Sequence, residues 1–273
     1  MGDIKTREIN IHYQEKGKGK RNLIFLHGGL NSSKIWGNVL DLIPPEFRSF
    51  ALDTRGCGDS GRGEDYSLDT LSQDVSDFMQ GLGIDKASII GHCLGGNIAI
   101  LFAHRFPQKV EKLILFDTFI RKSTVFDLMS RDEIKRLLES EAAKGLLGGE
   151  GISLELLSWG LLKVLMDFFF CEPDKLAFSQ ITSLIEGFSK ADIEGALKSM
   201  SSLLSFDLEE ELKKIKSPLL VMHGAQDKLY PVDEAKFISE FAPQGRLQVI
   251  PGSGHFPHVE RPQDFASALL EFL

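Results

Sequence analysis

Apolar residues fall along this chain in two rhythms. Unbroken runs at Asn22 to Leu26, Ser49 to Leu52, Ala87 to Ile90, Lys112 to Phe116 and Leu219 to Met222, with a shorter one at Leu247 to Ile250, suit strands covered on both faces. Between them, apolar positions recur at helical spacing over Ser33 to Leu42, Leu68 to Leu82, Leu94 to Arg105, Val232 to Phe241 and Pro262 to Leu273. Near the N-terminus, Thr6 to Glu15 alternates as a strand does, and Lys16 to Lys20 reads as a solvated turn. Alternating buried strands and helices predict an α/β fold, with a mostly parallel central sheet and helices on both faces.

The rhythm breaks between Phe119 and about Ser217, where no convincing strand occurs. This predicts a helical cap inserted at 119–217 before the last strands, with 1–118 and 218–273 together forming the core domain. The insertion carries Leu146-Leu147, Leu156-Leu157, Trp159, Leu161-Leu162, Val164-Leu165-Met166 and Phe168-Phe169-Phe170. That is more apolar surface than a short excursion hides from water. Most of it is expected to pack the cap and its seam with the core, and the rest to line an acyl or ring pocket.

At 273 residues the chain can bury one substantial core. With 31 Lys+Arg against 39 Asp+Glu the formal charge is -8, and no basic stripe with interleaved aromatics occurs, which disfavours a nucleic-acid partner. No apolar run is long enough to span a bilayer, and no basic-then-apolar leader opens the chain, so a cytoplasmic protein without a membrane partner is expected. The three cysteines, Cys57, Cys93 and Cys171, have neither metal-ligand nor redox spacing. At most one pair could be disulfide-bonded, and a reducing compartment would keep the Cys93 thiol available.

The chemistry centres on Gly91-His92-Cys93-Leu94-Gly95, between the run ending at Ile90 and the helical stretch from Leu94. Glycine-framed pentapeptides of this kind set a nucleophile on a tight strand-to-helix turn, where no side chain fits beside it. Here the nucleophile is a thiol where serine usually stands. A thiol needs a base, and the base an orienting carboxylate. His255, in Gly254-His255-Phe256, follows the last apolar run, and Asp227, in Gly224-Ala225-Gln226-Asp227, follows the one before it. Asp117, ending the run at Phe116, is the rival acid. His27-Gly28-Gly29-Leu30 follows the run at Leu26, and the amides of Gly29 and Leu94 are the expected oxyanion-hole donors.

These motifs, with Asp53-Thr54-Arg55-Gly56-Cys57-Gly58-Asp59-Ser60 and with Glu260, Pro262 and Phe265 after His255, resemble those of the α/β-hydrolase fold superfamily from about Thr6 to the C-terminus. The resemblance implies a capped esterase-like or lactonase-like member, near small esterases, enol-lactonases and carbon-carbon bond hydrolases. Dienelactone hydrolases carry a similar Gly-x-Cys-Leu-Gly-Gly elbow, but the His-Gly-Gly loop and long insertion look more like the serine esterases, so the dienelactone substrate is not transferred.

Paired with His255 and the helix N-terminus, Cys93 is expected to rest as a thiolate beside an imidazolium. The function expected is hydrolysis of an ester, lactone or thioester through a thioester acyl-enzyme. Alternatives are acyl transfer on the same residues, a serine hydrolase whose nucleophile was replaced and which turns over slowly or traps acyl groups, and a non-catalytic receptor. No cofactor or metal is called for. The partner expected is a small, mostly apolar acyl compound, and the protein a monomer or homodimer. Among the remaining residues, His27 is expected to brace the oxyanion loop, His92 to point away from substrate, His258 to pack beside the base, and Asp53 and Arg55 to pair with each other. Cys57 reads as a small turn residue, and Cys171 as inert.

Overall fold

Successive residues of a strand point to opposite faces of its sheet, so a strand apolar throughout needs cover on both. The computed structural model, which describes residues 1–121, 124, 166–203, 205–206 and 208–273, provides that cover. Its strands are β1 (Gly2–Lys5), β2 (Asn10–Lys16), β3 (Arg21–Leu26), β4 (Phe47–Leu52), β5 (Ala87–His92), β6 (Val110–Phe116), β7 (Leu219–Gly224) and β8 (Gly245–Ile250). They form one eight-stranded sheet in the order β1-β2-β4-β3-β5-β6-β7-β8. The β1–β2 and β2–β4 pairs are antiparallel and all others parallel. The described helices are α1 (Gly37–Leu42), α2 (Leu68–Gly81), α3 (Leu94–Arg105), α4 (Phe178–Lys190), α5 (Ile193–Leu203), α6 (Leu208–Leu212), α7 (Val232–Phe241), α8 (Pro257–Glu260) and α9 (Pro262–Phe272).

Two apolar layers sandwich the sheet. Ile24, Leu26, Phe50, Ile89 and Leu113 turn to the side of α2, α3 and α7, where Phe78, Phe102 and Ile238 meet them. Their strand neighbours Leu23, Phe25, Ala51, Ile90 and Ile114 turn to the side of α1 and α9, against Trp36, Val39 and Phe265. One sequence expectation changes here: Thr6 to Glu15 is not a single strand. Thr6 closes a turn through its amide and hydroxyl, each 2.8 Å from the Ile9 carbonyl, so β2 begins at Asn10 and residues 2–5 add a further strand. A threonine hydroxyl offers the backbone a local alternative to ladder pairing, and here it wins.

Between β6 and β7 the described elements are helical: a 3-10 turn at Pro173–Lys175, then α4, α5 and α6. Leu146-Leu147, Leu156-Leu157, Trp159, Leu161-Leu162 and Val164-Leu165 lie outside the described residues. Carboxylates of α7 and α8 tie two points of this stretch to the core, its start and its middle. Glu234 of α7 accepts from the amides of Ile120 (2.9 Å) and Arg121 (3.2 Å), from Arg121 Nε (2.8 Å) and from the Thr124 hydroxyl (2.7 Å). Glu260 accepts from the amides of Cys171 (2.7 Å), Glu172 (3.5 Å) and Gly254 (2.7 Å). No described helix is long and apolar enough to cross a membrane.

The expected Asp53–Arg55 pair does not form. Asp53 instead accepts from the amides of Ser33 (2.6 Å) and Asp59 (2.8 Å), closing the loop after β4. Arg55 makes a bidentate pair with Asp74 of α2, both contacts at 2.8 Å, and reaches Glu8 at 2.7 Å. A planar guanidinium matches the fork of a carboxylate, and α2 supplies a buried one.

Candidate active site

The loops after β3, β5, β7 and β8 converge at the C-terminal edge of the sheet. Cys93 stands between β5 and α3 with φ 50° and ψ -118°, a conformation costing on the order of 1–3 kcal/mol for a residue with a Cβ. Close packing holds it there. A Cβ on Gly91 would lie 2.4 Å from the Gly95 carbonyl, and one on Gly95 2.4 Å from the carbonyl of Leu26, so α3 rests directly on the end of β3. The Cys93 carbonyl accepts from the amides of Gly96 (2.9 Å) and Asn97 (3.3 Å) and from the Thr118 hydroxyl (2.8 Å).

His255 follows β8, with its Nδ1 2.9 Å from Asp227 Oδ2. The other oxygen of Asp227 accepts from the amides of Leu229 (2.7 Å) and Tyr230 (3.3 Å), an Asx turn that fixes the carboxylate. The His255 amide donates to the Phe169 carbonyl at 2.8 Å, and its carbonyl accepts from His92 Nε2 at 2.9 Å. His92 is thus turned to the back of the histidine loop, where it stacks on Phe116.

Electrostatics follow from these contacts. Burial would push the Cys93 thiol up, but the hydrogen bond and charge of His255, with the Tyr230 hydroxyl and the Leu94 amide, outweigh it and bring the thiol below its ordinary range. Burial alone would lower His255, yet the charge and hydrogen bond of Asp227 and the facing thiol raise it well above the usual imidazole range. Asp227 is lowered because His255 outweighs the cost of its burial. Both shifts favour a thiolate facing an imidazolium.

The loop expected to bind an oxyanion is built as a brace. His27 Nδ1 lies 2.7 Å from the Gly28 carbonyl, its Nε2 accepts from the Thr54 amide at 3.0 Å, and Leu30 turns the loop at φ 59°. A Cβ on Gly28 would lie 2.8 Å from His92 Nδ1 and 3.2 Å from Cys93 Cβ, so only glycine fits against the elbow. A Cβ on Gly29 would meet nothing nearer than Leu94 Cδ2 at 3.9 Å, which leaves Gly29 open beside Leu94 on the cavity wall.

Asp117 stands beside Asp227, but the carboxylate at His255 Nδ1 is that of Asp227. Asp117 accepts from the Gly224 amide at 2.9 Å, with His223 Nδ1 at 3.1 Å, and burial with the charge of Asp227 keeps its carboxyl well above the usual range. Asp117, His223 and Asp227 have atoms within 4.8 Å of one another, as do His12, Asp53 and Asp59, but the loop hydrogen bonds already engage Asp227, Asp117 and Asp53. His258 packs against Trp36 and His92, one ring removed from His255. Cys57 sits in the loop after β4, where burial pushes its thiol up to about 11. Cys171 is raised by burial and by Glu260.

Cys93 opens on a cavity of about 320 Å³. Met166, Phe169 and Phe170, then Leu184, Ile185 and Phe188 of α4, then Ile193, Leu197 and Met200 of α5 line it, opposite the elbow. No Asp, Glu, Lys or Arg is among the described lining residues. Sequence reading missed Tyr230, whose hydroxyl lies 3.7 Å from Cys93 Sγ. Its available signal was an Asp227-x-x-Tyr230-Pro231 spacing, which an Asx turn folds back on itself.

The profile described as alpha/beta hydrolase fold matches residues 21–142 and 169–262. The chain is 29% identical over 270 residues to the pimeloyl-[acyl-carrier protein] methyl ester esterase of Edwardsiella ictaluri, covering 94% of both. It is 26% identical over 279 residues to the 2-hydroxy-6-oxo-6-(2'-aminophenyl)hexa-2,4-dienoic acid hydrolase of Metapseudomonas resinovorans, covering 100% of this chain and 88% of the other. Among solved structures it is similar to an esterase from Exiguobacterium antarcticum, with a TM-score of 0.82 at 22% identity over 100% of this chain and 99% of that one.

Proposed function

Since the chain belongs to the alpha/beta hydrolase fold family, we propose that it hydrolyses esters, lactones or thioesters with an apolar acyl part through Cys93, His255 and Asp227. The observation that carries this reading is the thiol itself, at a strained elbow, lining an apolar cavity together with a histidine whose Nδ1 lies 2.9 Å from a buried carboxylate. In this reading 119–217 is a helical cap that shapes the cavity, and 1–118 with 218–273 is the core domain. The relative named as a methyl ester esterase supports the reaction class.

Attack by the Cys93 thiolate forms a carbon-sulfur bond and an oxyanion received by the amides of Gly29 and Leu94. Collapse breaks the bond to the leaving oxygen, which takes the proton of the His255 imidazolium. Neutral His255 then takes a proton from water as its oxygen attacks the thioester. Expulsion of thiolate restores the resting pair. The sum is ester plus water to acid plus alcohol.

The test is intact-protein mass spectrometry after brief exposure to p-nitrophenyl acyl esters, with nitrophenolate release followed in parallel. A thioester at Cys93 that forms and decays, absent in Cys93→Ala, is expected. Full turnover by Cys93→Ala overturns the reading, and capture of most of the acyl group by an added amine assigns the site to transfer instead.

A further inference from the structure

A serine hydroxyl in this position would rest protonated and hydrogen-bond its histidine. A thiolate rests as an anion, and an anion needs donors. The structure places one at hydrogen-bonding distance, the Tyr230 hydroxyl from the turn after β7, 3.7 Å from Cys93 Sγ, and the charge of His255, from the loop after β8, acts in the same direction.

Tyr230 has no other evident task for its hydroxyl. The residue is 3% exposed, its ring is wedged between Phe119 (centroids 5.0 Å) and His255 (5.5 Å), and Cys93 Sγ is its hydroxyl's hydrogen-bond partner among the described residues. Its backbone is set by the carboxylate that sets the base. Asp227 Oδ2 faces His255 while Oδ1 accepts from the Tyr230 amide, so one side chain aims both groups at the same sulfur.

Resting on the thiolate reading above, we propose that Tyr230 is a catalytic residue whose hydroxyl donates to Cys93 sulfur at rest and again as sulfur departs from the thioester. Acylation removes the negative charge from sulfur and weakens this hydrogen bond. Collapse of the second tetrahedral intermediate breaks the carbon-sulfur bond, the electron pair returns to sulfur, and the phenol meets it as the charge reappears. No proton leaves the phenol at any step. Burial, the charge of Cys93, and the carboxylates of Asp227 and of Glu234 on α7 hold the phenol well above the ordinary tyrosine range. Around it, His255 is held protonated and His92, behind the loop, is held neutral. A donor that favours thiolate makes sulfur a better leaving group, so its benefit falls on deacylation.

The experiment measures the pH dependence of Cys93 alkylation by iodoacetamide, site-resolved by mass spectrometry, with Cys93→Ser as the background for Cys57 and Cys171. Tyr230→Phe is expected to raise the apparent pKa of Cys93 by about one unit, about a tenfold loss of thiolate below it. The acyl-enzyme of this variant is expected to persist about tenfold longer. Incorporation of 3-fluorotyrosine in place of the three tyrosines acidifies the phenol without removing it, and is expected to move the Cys93 pKa downward. If wild-type Cys93 titrates as an ordinary thiol, the thiolate reading itself fails. If wild type titrates low and neither substitution moves it, the role of Tyr230 is overturned while the thiolate reading stands.

Discussion

In the proposed function, sulfur at position 93 changes which protonation state reacts. The reactive pair is lost on the acid side when the thiolate takes a proton, at a pKa below the ordinary thiol value, and on the alkaline side when His255 loses one, well above the ordinary imidazole value. Acylation of wild type is therefore expected to set in at lower pH than an ordinary thiol would allow and to fall only above the ordinary imidazole range. In Cys93→Ser the hydroxyl reacts only with neutral His255, still raised by Asp227 but no longer by a facing thiolate, so acylation should rise as pH climbs through the His255 pKa. Single-turnover bursts of nitrophenolate across pH check this, and superimposable profiles would contradict it. Cys93, Asp227 and His255 were legible because each follows an apolar run at the sheet's C-terminal edge, where loops carry chemistry. Tyr230 was not, because the Asp227-x-x-Tyr230-Pro231 spacing points at the sulfur only once the Asx turn that folds it back is recognised. The partner of Arg55 escaped for a related reason, since its carboxylate belongs to a helix nearly twenty positions on and nothing in the loop marks it.

Elements were legible to the extent that burial writes itself into the sequence. Strands β3 to β7 are covered on both faces and read as unbroken apolar runs, whereas β1, with exposed alternate positions, was not expected, and the strand expected from Thr6 included the turn before β2. The clamps at the insertion were invisible, because Glu234 and Glu260 are ordinary helix carboxylates until the chain comes back to them. Glu234→Ala leaves two backbone amides, a half-buried guanidinium and a buried hydroxyl without their acceptor. Removing one partner of such a cluster costs about 3–5 kcal/mol, and urea unfolding should read a loss of that size. The same variant should raise KM for long acyl chains more than for acetyl, because Phe119, beside the released Ile120, lines the cavity. Equal effects on all chain lengths would show that the clamp acts on stability alone.

For the whole molecule, the cavity is a single apolar volume closed on one side by the elbow and on the other by α4 and α5. Each methylene buried there contributes about 0.8 kcal/mol, or about fourfold in kcat/KM, for as long as room lasts. A p-nitrophenyl ester series is expected to climb by steps of that order and then fall abruptly when the chain outgrows about 320 Å³. A flat series would place the acyl chain outside this cavity.

Residues 169–172 belong to both parts of the molecule. They arrive from the insertion, yet the Phe169 carbonyl receives the His255 amide, and the amides of Cys171 and Glu172 are received by Glu260, which also holds Gly254. For anyone transplanting insertions between relatives to exchange substrate range, this fixes the position of the seam. A chimera spliced before Phe169 inherits a foreign strap across its own histidine loop, whereas one spliced after Glu172 keeps the native strap and exchanges only α4 onward.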